Sequence, residues 1–329
     1  NIAIGHGALD AAAAGENYNI AIGGDALGAE NGDANFCIAI GFSALALQNG
    51  NVKNTAIGGY AGDAIVGGTE NTFVGYMAGS AVSGGNSNTA LGHTAYQAGT
   101  GQQNTVIGQN AGAAAMTGDA NTLLGSLAGN ALTDGPGNVC IGRKAGYAMT
   151  TGDYNIAIGF EAAVTMVGES DKNIAIGYQA LKTEASGADY CVALGTSALY
   201  TQNHADCRNI AIGTAAGYAI TTGTANVLIG DSAGSTIADD DNNTALGYNA
   251  LKNATAGAGN TALGSHAMGL GAADGSNNTV VGFTAGYDLA AGGDSNVMVG
   301  TYAGANATSA KQNVIIGLDA CGLGVLANA

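Results

Sequence analysis

The sequence predicts an all-β fold, a parallel β-roll or β-solenoid of about 19 coils, each of roughly 16–18 residues. Three observations predict it: a phrase that recurs at that interval, a residue in the phrase that is always β-branched, and a glycine that closes it. In "NTAIGGYAGDAIVGGTENTFVGYMAGSAVSGGNSNTALG" the phrase starts at Asn54, Asn71 and Asn88, in equal steps. Counted by the closing glycine, 19 copies run from Gly5 to Gly317. No segment falls outside the pattern, so residues 1–329 read as a single repeat domain. Asn1 already stands at the start of a copy, so the chain is expected to be a segment of a longer one.

With the closing glycine as position 5, position 1 is Asn in 17 copies and Cys in two, Cys37 and Cys191. Position 2 is Ile, Val or Thr throughout, and position 4 is Ile, Leu or Val. β-branched side chains lose rotamer freedom in helices and suit a pleated surface, so positions 1–5 read as a short strand. Gly58, Gly75 and Gly92 then break it, because glycine takes backbone angles other residues avoid. Positions 7–11 read as a weaker second strand. Within it position 8 is Ala in every copy, as at Ala61, Ala78 and Ala95, which suits a narrow roll. A loop rich in Gly, Asp, Asn, Thr and Ser returns the chain to its start. Stacked at roughly 4.8 Å, the coils would make a rod on the order of 90 Å long.

Stacking puts each residue over its equivalent one coil away. Asn54, Asn71, Asn88, Asn104 and Asn121 therefore form a column able to bond as an amide ladder. Strand alternation puts positions 2 and 4 on one face and positions 1, 3 and 5 on the other. The aliphatic face, with Ile57, is the expected interior. The Asn-Ala-Gly face carries no charge in any copy and is expected to be covered, by other copies or by an external surface. Aromatic residues mark two further columns: Phe42, Tyr76, Phe160, Tyr178, Tyr248 and Phe283 at position 6, and Tyr147, Tyr200, Tyr218 and Tyr287 at position 10. They read either as a stacking surface for sugar rings or as shields over the strand ends.

Composition narrows the function. There are 57 glycines, one proline, no tryptophan and 10% charged residues in a chain that is 47% apolar. Much of the apolar fraction is Ala, which favours a thin structure over a thick aromatic core. The net charge of −16 and only 8 basic residues exclude phosphate-backbone binding and attraction to anionic membranes. No apolar run of about 18 residues spans a membrane.

Catalysis needs unlike residues converging on one pocket, whereas a uniform solenoid sets like residues in lines. His6 and His93 share position 6 and His266 stands at position 7, all in distant coils, His204 stands alone in a loop, and no Ser or Cys has a matching His. No catalytic, cofactor-binding or metal site is expected, and no P-loop motif occurs. The loops with Asp239-Asp240-Asp241 and Gly292-Gly293-Asp294 are candidates for structural calcium or for solvated turn carboxylates, without the nine-residue repeat of calcium-binding rolls. Asn-x-Thr sequons stand at Asn242, Asn253, Asn277 and Asn306. The five cysteines are odd in number without C-x-x-C spacing, and Cys191 and Cys207 fall in different columns, which argues against a disulfide.

The copies "NIAIGYQALKTEASGAD" and "NTALGYNALKNATAGAG" resemble the head repeats of trimeric autotransporter adhesins, which share an Asn-x-Ala-Ile-Gly-x-x-Ala core. They look closer still to "NTAVGYNAL"-type repeats of phage tail fibres and microbial surface fibres. The resemblance covers all 19 copies, although the adhesin repeats are shorter and these have longer loops. It implies a left-handed parallel β-roll, three of which pack about one axis with their small-residue faces inward. The expectation is a non-catalytic fibre segment on a cell surface or virion, self-associating as a homotrimer and attaching to a surface receptor, with glycans a candidate class. The rival expectation is a monomeric ice- or surface-binding solenoid, because Thr55, Thr72, Thr89, Thr105 and Thr122 stack in consecutive coils and Thr244 and Thr261 follow. A third, a polysaccharide-cleaving spike, has no carboxylate pair to support it.

Overall fold

The computed structural model describes residues 1–11, 17–29, 35–49, 52–183, 187–253, 257–270, 275–289 and 292–321. The described chain is all-β, a parallel β-solenoid with one strand per coil at positions 2–4. By internal contacts it divides into two compact units, Asn1–Phe160 with Val167–Glu169, and Glu161–Met166 with Ser170–Ala329. The first unit stacks strands from Ile2–Ile4 to Ile156–Ile158, the second from Ile174–Ile176 to Val314–Ile316. Within each, the strands pair parallel and in register, so that Thr55 lies on Thr72 and Thr244 on Thr261.

The interior is the opposite of the expected one. From Ala21 onward position 3 is buried in every coil, and so is position 1 from Asn19 to Asn296, whereas positions 2 and 4 face outward, half-buried or exposed. The small-residue face thus lines the lumen of each coil and cannot be a contact between chains. The physical reason is width. So short a coil holds small groups at positions 1 and 8, and its larger core side chains are shared among positions 3, 9 and 12, such as Phe73, Leu45 and Ile65. An aliphatic pair at 2 and 4 would overfill it.

Inside, the asparagines form the expected ladder. Asn71 donates its backbone N–H to Asn54 Oδ1 at 2.8 Å and its Nδ2–H to the same oxygen at 3.2 Å. Asn88 repeats both bonds to Asn71 at 2.9 and 3.1 Å. The same Nδ2 also ties the end of its own coil, Asn71 to Gly85 O at 2.8 Å and Asn104 to Gly118 O at 3.1 Å. One side chain therefore joins two coils and closes one, leaving its buried polar atoms satisfied.

The expected second strand at positions 7–11 does not form; the only further strands among the described residues, Ala81–Val82, Ala98–Gly99 and Ala115–Met116, begin at position 11 or 12. Positions 7 and 9 lie in the left-handed region in these coils as in the others, as at Tyr60 (φ 58°) and Leu45 (φ 50°), so the chain turns there instead of extending. The backbone still ladders through the corner: Tyr60 N–H donates to Phe42 O and Gly62 N–H to Ala78 O, at 2.8 and 2.9 Å.

Position 5 accepts only glycine. Gly75 has φ +135°, and a Cβ there would stand 2.5 Å from the carbonyl oxygen of Gly92. Position 9 is glycine where the neighbouring core is large: a Cβ on Gly79 would meet the Phe73 ring at 2.9 Å, and one on Gly129 would meet Leu123 at 2.7 Å. Where position 3 is Ala, as at Ala39 and Ala193, position 9 has room for Leu45 or Leu199.

Asn71→Ala removes the ladder bonds on both sides and leaves the buried Asn88 N–H without an acceptor. A loss of about 2–4 kcal/mol is expected, whereas Thr72→Val on the outer face should change stability by less than about 0.5 kcal/mol. Denaturant midpoints of the two variants, with hydrogen exchange at the Asn88 amide, check the contrast. Equal midpoints would refute the assignment of inside and outside.

Candidate functional site

The residues singled out in the sequence are structural. Asn54, Asn71, Asn88, Asn104 and Asn121 lie in the buried ladder, and Ala61, Ala78 and Ala95 are fully buried where the coil narrows. Gly58, Gly75 and Gly92 stack backbone on backbone. Only Ile57 reaches the surface, 39% exposed.

It belongs to the feature that stands out on both units, the outward strand face. Each coil presents position 2 and position 4 side by side, for example Thr89 with Leu91 (46% exposed) and Thr244 with Leu246 (44%). The face is broadened at one edge by position 6, where Phe42, Tyr76, Tyr178, Tyr248 and Phe283 are exposed. At the other edge lies the residue before position 1, where Tyr18, Phe36, Tyr154 and Tyr190 are exposed with φ between 55° and 63°. This second edge was not visible in the sequence. Its residue type varies from coil to coil, and only the backbone angle is constant. Large side chains are unfavourable at positive φ, so their presence there calls for a compensating contact.

Several of the rings pack on one another in rows. Phe42, Tyr60, Tyr76 and His93 form a row with centroids 5.3, 6.1 and 5.6 Å apart. Tyr248, His266, Phe283 and Tyr302 form another, at 5.1, 6.4 and 5.7 Å. Tyr200 stacks on Tyr218 at 4.9 Å, and Lys182 Nζ lies 5.4 Å from the Tyr200 centroid. Most of these contacts are edge-on, and Tyr76 and Tyr248 keep 49% and 53% of their surface exposed, which agrees with either role.

The acidic loops are engaged by the protein's own donors. Asp239 Oδ1 accepts from Thr221 and Thr222 at 2.6 and 2.8 Å, and those hydrogen bonds hold its carboxyl below the ordinary range. Asp294 Oδ1 accepts from the Ser276 N–H at 3.0 Å and its Oδ2 faces Lys311 Nζ at 3.3 Å, which together depress its pKa, the backbone bond foremost. Asp294 belongs to a second, outer ladder, in which the residue two before position 1 accepts from the preceding coil. Asn86 does so from Thr69 N–H, Asp119 from Gln102 N–H and Asp241 from Thr224 N–H. Among the described residues no group of three or more His, Cys, Asp or Glu is placed to hold a metal ion. The described side chains at Asn242 and Asn277 are exposed and those at Asn253 and Asn306 half-buried.

The cysteines correct the sequence reading. Cys191 and Cys207 form a disulfide with Cα atoms 5.7 Å apart. Their columns differ along the chain, but the coil brings its own end back beside its start. Cys37 and Cys140 are buried thiols and Cys321 is exposed; burial pushes the Cys140 thiol up to about 12.

Because the Asp294 pKa is depressed, its contribution to stability is present above the unfolded carboxyl pKa of about 4 and is lost as pH falls through the folded value. Asp294→Asn keeps the ladder bond, as Asn86 shows, and removes the titration. Acid unfolding of this variant is expected to shift to lower pH than in the parent; an unchanged profile would deny Asp294 that part. Comparison with protein-family models and with curated proteins finds no match for this chain.

Proposed function

We propose that the chain is a structural, non-catalytic segment of an extracellular fibre, in which copies associate through their outward strand faces as a homotrimer and the assembled fibre attaches its bearer to a surface. The observation that carries this reading is the outward face itself: no charged residue at positions 2 or 4 in any of the 19 copies, although both positions face water in the single chain. Two half-exposed side chains per coil amount to on the order of 1,000 Å² for each unit, beyond the few hundred Å² of an ordinary monomer patch and near the area per partner of a stable interface. Its aromatic edges and lack of charge match the make-up of interface cores. Location outside the cytosol is supported by the disulfide, since such bonds persist in oxidising compartments. No helix among the described residues is long and apolar enough to cross a membrane.

A second reading rests on one stretch of the same face. Thr72, Thr89 and Thr105 are exposed, and Thr55 and Thr122 half-buried, in consecutive coils beside Ile57, Val74, Leu91, Ile107 and Leu124. Flat rows of hydroxyl and methyl groups at the strand spacing of about 4.8 Å suit an ordered water or crystal surface. The two readings exclude each other, because a face buried between chains cannot meet ice.

Light scattering of the eluting protein is expected to give about three times the chain mass of 31.8 kDa, and Leu91→Glu with Leu124→Glu is expected to lower that mass without changing the circular dichroism. A monodisperse monomer would remove the fibre reading, and thermal hysteresis by that monomer would establish the second one.

A further inference from the structure

Two coils depart from the asparagine rung, and they depart in the same way. Coil 3 starts on Cys37 and coil 12 on Cys191, and each carries glutamine at position 12, Gln48 and Gln202. No other copy has glutamine there; Ile65, Leu132, Met149 and Ile220 are the usual kind of occupant. Both glutamines are fully buried, where an amide needs partners.

The partners explain the pairing. In an ordinary coil the Asn oxygen receives the next coil's Asn, and the Asn nitrogen closes its own coil. Where Cys replaces Asn, the next asparagine has lost that oxygen, and the glutamine supplies one: Asn54 Nδ2 donates to Gln48 Oε1 at 3.0 Å, and Asn209 Nδ2 to Gln202 Oε1 at 2.9 Å. The ladder then no longer runs through the sulfur, which can close the coil instead. In coil 12 it does so covalently, bonding Cys207 at a sequence separation of 16. In coil 3 the corresponding residue, two before the next rung, is the buried Val52, and Gln48 Nε2 donates to Cys37 Sγ at 2.9 Å.

We propose that the Cys–Gln rung is a coil-closing site prepared for disulfide formation: the glutamine takes over the ladder, the cysteine is positioned for a second cysteine two residues before the next rung, and coil 3 is the same site in its open, thiol form. Closure by a small-molecule disulfide proceeds by two exchanges. A thiolate of one cysteine attacks the reagent and releases one reagent thiol; the second cysteine then attacks the mixed disulfide and releases the other. The protein loses two protons and two electrons, and the reagent gains them. Both sulfurs are buried, so exchange takes place before the coil packs or during local opening. Once made, the bond holds the coil shut when the ladder on either side opens.

The test uses the full chain, oxidised with glutathione disulfide, denatured and alkylated without reduction, then mapped by mass spectrometry. In the parent, Cys37, Cys140 and Cys321 are expected to take the label while Cys191 and Cys207 do not; labelling of all five would overturn the proposal. Val52→Cys is expected to create a second cross-link, from Cys37 to position 52, leaving only Cys140 and Cys321 labelled. A new cysteine that stays a thiol, or that pairs elsewhere, counts against a prepared site. Cys207→Val converts coil 12 to the arrangement of coil 3 and is expected to keep the parent's circular dichroism, with Cys191 alkylated in the native state at least tenfold more slowly than Cys321. Loss of the fold in this variant, or Cys191 reacting as fast as Cys321, would refute the claim that the rung has a stable open form.

Discussion

All coils but two start on an asparagine, and through most of the stack its amide has two attachments. Its oxygen is bonded by the following coil, at the backbone N–H and in many rungs at the side chain as well, and its nitrogen reaches across the lumen to the carbonyl that ends its own coil. A loop-rich chain with 57 glycines loses much conformational entropy on folding, and such short strands recover little of it alone. The amide binds loop and strand together in the place where water cannot compete. Serine is too short to span the lumen, and aspartate would bury a charge with no cation beside it. Asparagine is the side chain that donates and accepts at the required reach.

The amide column also sets the volume of everything else inside. With position 1 filled by a planar polar group and position 8 by a methyl, the remaining space is divided among positions 3, 9 and 12. Phe73 at position 3 comes with Gly79 at position 9, Leu123 with Gly129, and Leu228 with Gly234. Ala39, Ala193 and Ala245 come with Leu45, Leu199 and Leu251. The alternation of "AG" and "AL" along the sequence follows this exchange, as close packing of the interior requires. The glutamines of coils 3 and 12 fit the same scheme, for each lies in an Ala–Leu coil and fills the third position with an amide.

Architecture was legible because stacking enforces identity: the strand at positions 2–4, the glycine corner and the amide ladder all follow from residues that repeat. Orientation was not. Alternation shows that Ile57 and Asn54 point to opposite sides, and the usual preference of aliphatic side chains for interiors then assigns the wrong side, because the amides of so narrow a coil satisfy one another. The left-handed corners were hidden for a different reason. Tyr18, Lys53, Ser87 and Gln103 share a backbone angle and no chemistry, so no residue pattern reports them. The Cys191–Cys207 bond escaped because column assignment compares neighbouring coils, whereas the disulfide joins the two ends of one.

The reversal of inside and outside changes what the absence of charge means. At positions 1 and 3 it needs no function, since these atoms are enclosed by their own coil, and position 5 is held to glycine by its backbone. At positions 2 and 4 the single chain supplies no such reason. Strand preference explains β-branched residues at position 2, and threonine alone would meet it. It does not explain why position 4 is Ile, Leu or Val in every coil, at exposures where lysine or glutamate would cost the fold little. An uncovered face would also leave an acidic protein with its most apolar surface toward water, while its charge sits in loops that already bond one another. On the proposed reading, what meets this face excludes charge along many coils at a fixed spacing, and a copy of the same solenoid, with the same rise, would keep that register over the length of a unit.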